Sequence, residues 1–131
     1  MSRTRRQVET IILIGIGGFI GANLRYGVSV WTTNQLGPHF PWGTLIINMT
    51  GSFVLALFLA YTVNHVTLDD RIRLFLAVGF CGAYTTFSTY AVESMALLQG
   101  RAWIVALGNI LGTNLACLVS VLVGLALGSR L

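Results

Sequence analysis

Apolar residues fill four long stretches of this chain, and polar residues gather mainly in the short gaps between them. The stretches run from about Thr10 to Trp31, Trp42 to Asn64, Ile72 to Leu98 and Ala102 to Gly128. Each is at least as long as the roughly 20 residues a helix needs to cross a bilayer. The second opens with Pro41 and an interfacial Trp42 and reaches roughly 34 Å as a helix, enough to cross with modest tilt. The first also invites a signal-peptide reading, but its run is too long, and Asn23 and Arg25 stand where a cleavage motif would sit. Turns are predicted at Asn34–Pro41, which holds Gly37-Pro38-His39, and at Val66–Arg71 around Asp69-Asp70. Gln99-Gly100-Arg101 predicts a tight hairpin, making the third and fourth spans antiparallel neighbours. The expected architecture is all-α integral membrane, one four-helix domain over residues 1–131, with no extramembrane segment long enough to fold alone.

Two departures from plain hydrophobicity matter. Gly17/Gly21, Gly108/Gly112 and Gly124/Gly128 stand at i, i+4 spacing, which lets helix backbones approach closely; they predict tight packing and no chemistry. The second departure is polar groups at a depth where each needs a partner or a role. Asn48 lies well inside the second span, and two readings stand for it: glue between helices, or a lining of a path. Gly79–Tyr90 bunches Gly, Thr and Ser in the middle of a third span longer than the bilayer requires. Those residues are mediocre helix formers, so a helix broken at mid-membrane is predicted. An unbroken helix whose hydroxyls bond back to its own carbonyls is the alternative. In the fourth span Asn109, Thr113 and Cys117 recur every four residues, with Ser120 nearby and Asn114 pointing elsewhere; such a stripe either glues helices or lines a path. Arg25 and Glu93 fall late in their spans, close enough to the interfaces to sit in a wet vestibule.

Composition narrows the class. Of 131 residues 55% are hydrophobic and 9% charged, far below the roughly one quarter charged residues of a soluble domain. The net charge of +4 comes from arginines scattered between apolar runs, which excludes a nucleic-acid patch and suits topology signals and lipid-headgroup anchors. Cys81 and Cys117 lie inside apolar segments without metal-ligand spacing and read as small buried thiols. His39 and His65 are isolated at loop edges, so no enzyme reading gains support. The mid-membrane groups are neutral donors: amides, hydroxyls and the partly positive edges of aromatic rings. No acidic residue lies mid-span, whereas a proton-coupled exporter generally needs one. Donors, ring edges and one Arg at the mouth suit a small anion.

Three segments carry a family resemblance: Gly17–Tyr26 (GGFIGANLRY), Trp42–Asn48 (WGTLIIN) and Gly79–Tyr90 (GFCGAYTTFSTY). They resemble the Fluc (CrcB) fluoride channel family, over almost the whole chain and in family order. The resemblance implies a fluoride-selective channel in the bacterial plasma (inner) membrane, exporting fluoride passively and protecting the cell from it. It implies an antiparallel, dual-topology homodimer embedded in lipid, with two pores along the subunit interface. Asn48 matches the family's pore asparagine, Phe87 and Tyr90 its two pore-facing aromatics, and Ser88 and Thr89 the hydroxyl pair between them. Tyr90 departs from the usual Phe, keeping the ring edge and adding a hydroxyl. Asn109 and Thr113 occupy the family's polar track, continued by Cys117, the weakest donor of the three. Arg25 matches a basic vestibule residue, and Glu93 a carboxylate after the aromatic pair. Gly82 and Thr85 match the positions whose backbone carbonyls hold a structural sodium ion at the dimer centre.

The rival transport class, a small four-helix multidrug exporter, needs a carboxylate inside the first span, where only Glu9 stands near the start. A noncatalytic scaffold would explain the glycines and leave the donor-rich third span unexplained. Charge and family inference pull apart on orientation. Arg3, Arg5, Arg6, Arg71, Arg73 and Arg130 share one side against Arg101 and, where it reaches the interface, Arg25, which by charge alone favours cytoplasmic termini. The antiparallel homodimer is expected nonetheless, because two pores built from the same Asn48, Phe87 and Tyr90 require that interface.

Overall fold

In the computed structural model, which describes residues 3–64 and 69–131, the chain is a bundle of four membrane-length helical spans. Helix α1 (Arg3–Leu36) and α2 (Trp42–Asn64) make the first two. The third is composite. It comprises α3 (Asp70–Arg73), a π-helical segment (Leu74–Cys81), the short α4 (Gly82–Tyr84) and α5 (Phe87–Gln99). Helix α6 (Trp103–Gly128) is the fourth. Helix α2 begins directly after Pro41. Helix α1 runs beyond the apolar stretch at both ends, through Arg5, Arg6 and Glu9 at its start and to Leu36 at its end. At 34 residues α1 is roughly 51 Å long, more than a hydrocarbon core needs.

The connections follow from turn chemistry. Gly37 takes φ +79° and its amide reaches Thr33 O at 3.0 Å, an αL stop followed by Pro38. At the other hairpin Ala102 N bonds Leu97 O at 3.0 Å while Arg101 adopts φ 60°, a conformation glycine usually takes. The expected turn at Val66–Arg71 is described only from Asp69 onward, where Asp69 accepts from the Arg71 amide; His65 lies outside the described residues.

Helix α2 packs most extensively on α6, and α1 on the π-helical segment. Glycines set both distances. A Cβ on Gly17 would stand 2.5 Å from Phe75 O, and one on Gly79 2.7 Å from Ile14 O. On the other pair, a Cβ on Gly124 would stand 2.6 Å from Phe53 O. Gly108 and Gly112, by contrast, face open space in the single chain. Spans three and four meet through α5 and α6, but α2 is the larger partner of α6. Outside the apolar zone Glu9 joins α1 to the third span, its carboxylate 3.3 Å from Arg71 and 3.6 Å from Arg5.

Candidate functional site

Two threonines break the third span. Thr85 (φ −77°, ψ 157°) and Thr86 (φ −150°, ψ 113°) are extended, between α4 and α5. Both are β-branched, the side-chain type that loses least in extended backbone. Extended residues at this depth leave backbone groups that lipid cannot satisfy. Asn48 of α2 satisfies both groups of Thr86: its Nδ2 donates to Thr86 O at 3.0 Å, and its Oδ1 accepts from the Thr86 amide at 2.8 Å. Of the two readings open for Asn48, the structure contains the first in full and leaves the second available. Nδ2 carries two protons, and Thr86 takes one.

The same bonds free carbonyls. An unbroken helix would send the amides of Thr86 and Thr89 to the carbonyls of Gly82 and Thr85. Here the Thr86 amide goes to Asn48, and the Thr89 amide goes to Thr86 Oγ1 at 3.2 Å, capping α5. Gly82 is exposed, and a Cβ there would meet nothing nearer than Ala77 O at 3.6 Å. The break therefore presents a carbonyl-bearing helix end on one side and the N-terminal, partly positive end of α5 on the other.

Beside the break lies a cleft of roughly 260 Å³. It is lined by Asn48, Gly51, Ser52, Leu55, Thr85, Phe87, Tyr90, Thr113, Asn114 and Cys117. Phe87 and Tyr90 meet there with ring centroids 5.6 Å apart and planes tilted by 49°. Amide, hydroxyl, thiol and ring edges line it, and among the described residues no carboxylate does. Such a surface suits an anion stripped of water and offers nothing to hold a proton for exchange.

Of the residues singled out in the sequence, the cleft brings together Asn48, Phe87, Tyr90 and Thr113, with Cys117 half-buried beside them. Asn109 lies beneath it, fully buried, donating to Ser94 Oγ at 2.9 Å and accepting from Thr113 Oγ1 at 3.1 Å. Ser88 and Thr89 cluster round the Thr86 hydroxyl on the exposed side of α5, outside the cleft of the single chain. Arg25 is half-buried on α1 and lines neither this cleft nor the larger cavity nearby. That cavity, roughly 430 Å³, opens among the α1–α2 turn, α2 and α5 and includes His39, Thr44 and Glu93. Among the described residues, Glu93 Oε2 is buried there without a hydrogen-bond partner. One expectation is corrected. Asn114 does not point elsewhere: its Nδ2 lies 2.7 Å from the Tyr90 hydroxyl at the cleft wall. Residues at i and i+1 stand 100° apart on a helix, and the cleft is wide enough to be lined by both Thr113 and Asn114. Ser94 was not singled out either; its i, i+4 spacing from Tyr90 on α5 was the available signal.

These features define a multi-pass helical membrane protein with a polar, carboxylate-free cleft beside a broken span. Residues 12–125 match the family described as CrcB-like protein, Camphor Resistance (CrcB), and the chain belongs to that family. It is similar to the fluoride-specific ion channel FluC of Koribacter versatilis, 50% identical over 115 residues covering 88% of this chain and 91% of the relative. The protein of the same name from Chloroflexus aurantiacus is 39% identical over 121 residues, 92% of this chain and 96% of the relative. That from Hahella chejuensis is 38% identical over 120 residues, covering 92% and 94%.

Proposed function

We propose that this chain is a fluoride-selective channel that lets fluoride leave a bacterial cell down its electrochemical gradient through the plasma membrane. The observation that carries it is the donor-lined cleft formed by Asn48, Phe87, Tyr90 and Thr113 against the break. The relatives, matched over 91% and 96% of their own length and named as fluoride-specific channels, support the same reading. Fluoride is small and holds its water tightly, so only close, fixed donors can replace that shell. Asn48 is fixed by its two bonds to Thr86 and keeps one proton to offer. The rings of Phe87 and Tyr90 add electropositive edges.

The working form is an antiparallel homodimer with two pores, each completed by the partner. Phe87 is 78% exposed in the single chain, and the hydroxyl residues Ser88 and Thr89 lie exposed beside it at membrane depth. The two hydroxyls already bond round Thr86, but lipid would leave the freed carbonyls unsatisfied, whereas a second copy would cover them. The carbonyls of Gly82 and Thr85, their helical donors diverted, fit a hard cation with oxygen ligands, and sodium held there would supply a fixed positive charge. Arg25 would stand in the vestibule and Asn109 would support the polar track from below.

Fluoride efflux from liposomes containing the purified protein, read with a fluoride electrode, tests the proposal. Efflux well above protein-free liposomes, with chloride retained, is the expected result. Efflux no faster than through empty liposomes would refute it.

A further inference from the structure

Tyr90 carries a hydroxyl at a cleft wall where a plain phenyl ring would provide the same edge. That hydroxyl is held in an uneven way. Asn114 Nδ2 donates to it at 2.7 Å and also reaches Ile110 O at 2.6 Å. Among the described residues, the hydroxyl's own proton has only Ile110 O, at 3.4 Å, beyond the usual 2.5–3.0 Å of an O–H···O bond. Its acceptor lone pair is thus firmly engaged and its proton is not. Accepting a short bond from an amide also polarises the O–H outward, making it a better donor. Tyr90 is 8% exposed and both residues line the cleft, so the loosely held proton sits where an ion would lose water.

We infer that the Tyr90 hydroxyl donates a hydrogen bond to the anion in the cleft, and that Asn114 is the positioning residue that aims and polarises it. The inference rests on the anion-channel reading above and adds to it a ligand atom and a residue on α6. Asn114 acts through Tyr90. Its two bonds fix the hydroxyl between α5 and α6, so the proton turns toward an incoming anion without any movement of the ring. A hydroxyl that merely satisfies Asn114 as a packing contact would make no such contribution.

A double-mutant cycle separates the two. Fluoride efflux is measured at a series of fluoride concentrations for the unaltered protein, Tyr90→Phe, Asn114→Leu and the double variant. Loss of one hydrogen bond to an ion predicts that each single variant lowers efflux about tenfold and raises the half-saturating fluoride concentration. The double variant should be no worse than either single one, because Asn114 has nothing to aim once the hydroxyl is gone. A packing role would change yield and melting temperature and leave the half-saturating concentration where it was. Unchanged concentration dependence in Tyr90→Phe, or losses that multiply in the double variant, would overturn the inference. Should Asn114→Leu fail to fold, Tyr90→Phe alone decides. Robust efflux by the unaltered protein with an indifferent Tyr90→Phe sinks only this inference, whereas no efflux by the unaltered protein sinks the channel reading itself.

Discussion

Replacing Asn48 by aspartate separates its clamp on the break from the part proposed for it in the path. The carboxylate keeps an acceptor for the Thr86 amide, now at 2.8 Å, and loses the donor that meets Thr86 O at 3.0 Å. The break keeps half of its support, at a cost of about 1–3 kcal/mol for leaving the buried Thr86 O unpaired, and the fold should survive. The cleft loses a donor and gains a negative charge. An anion about 4 Å from that charge is repelled by about 4 kcal/mol at an effective dielectric constant near 20. Because about 1.4 kcal/mol is a factor of ten, occupancy of the cleft should fall by about a thousandfold. Fluoride efflux from liposomes should then be indistinguishable from the protein-free background. Asn48→Leu differs in kind: it removes both bonds to Thr86 and leaves a buried amide and carbonyl unpaired. It should lower folded yield as well as efflux. Near-normal efflux by Asn48→Asp, at equal protein per liposome, would take Asn48 out of the path and leave it only as the clamp on the break.

Phe87→Ile keeps apolar bulk at an exposed position but removes the ring edge, so efflux should fall to background while size-exclusion behaviour is unchanged; normal efflux would remove Phe87 from the pore. Gly79→Val places side-chain atoms against Ile14 O and the Gly17 backbone, and overpacking of about 1–3 kcal/mol should lower the melting temperature of the purified protein. Arg101→Gly relieves a left-handed residue and should stabilise by about 1 kcal/mol, read as a higher melting temperature. If the carbonyls of Gly82 and Thr85 hold sodium, electron density there should show oxygen ligands at sodium distances in crystals grown with sodium; a bare cavity would count against it. A cysteine near Arg130, in a background lacking Cys81 and Cys117, should be labelled in about half the molecules of intact cells; all or none would mean a single orientation.

The spans were legible because a bilayer imposes a simple rule: long apolar runs between short turns leave little choice of architecture. The broken third span was legible for a different reason, since Thr85, Thr86, Ser88 and Thr89 bunch together in a stretch already too long to need them all. The partner of the break was not. Asn48 could be recognised as out of place in a greasy helix, but its bonds to Thr86 depend on the register between α2 and the third span, across 38 positions of sequence. One sequence carries no measure of that register. Asn114 shows a second limit. Spacing of four puts Asn109, Thr113 and Cys117 on one face of α6, and Asn114 stands one position round from that face. The cleft is broad enough to be lined by Cys117, Thr113 and Asn114 together, and it is Asn114 that reaches across to Tyr90. Asn109, on the stripe, instead turns inward to Ser94 and serves the wall from behind. Periodicity locates polar groups on a helix; only the packing of α5 against α6 decides which of them meet the cleft and which hold the others in place.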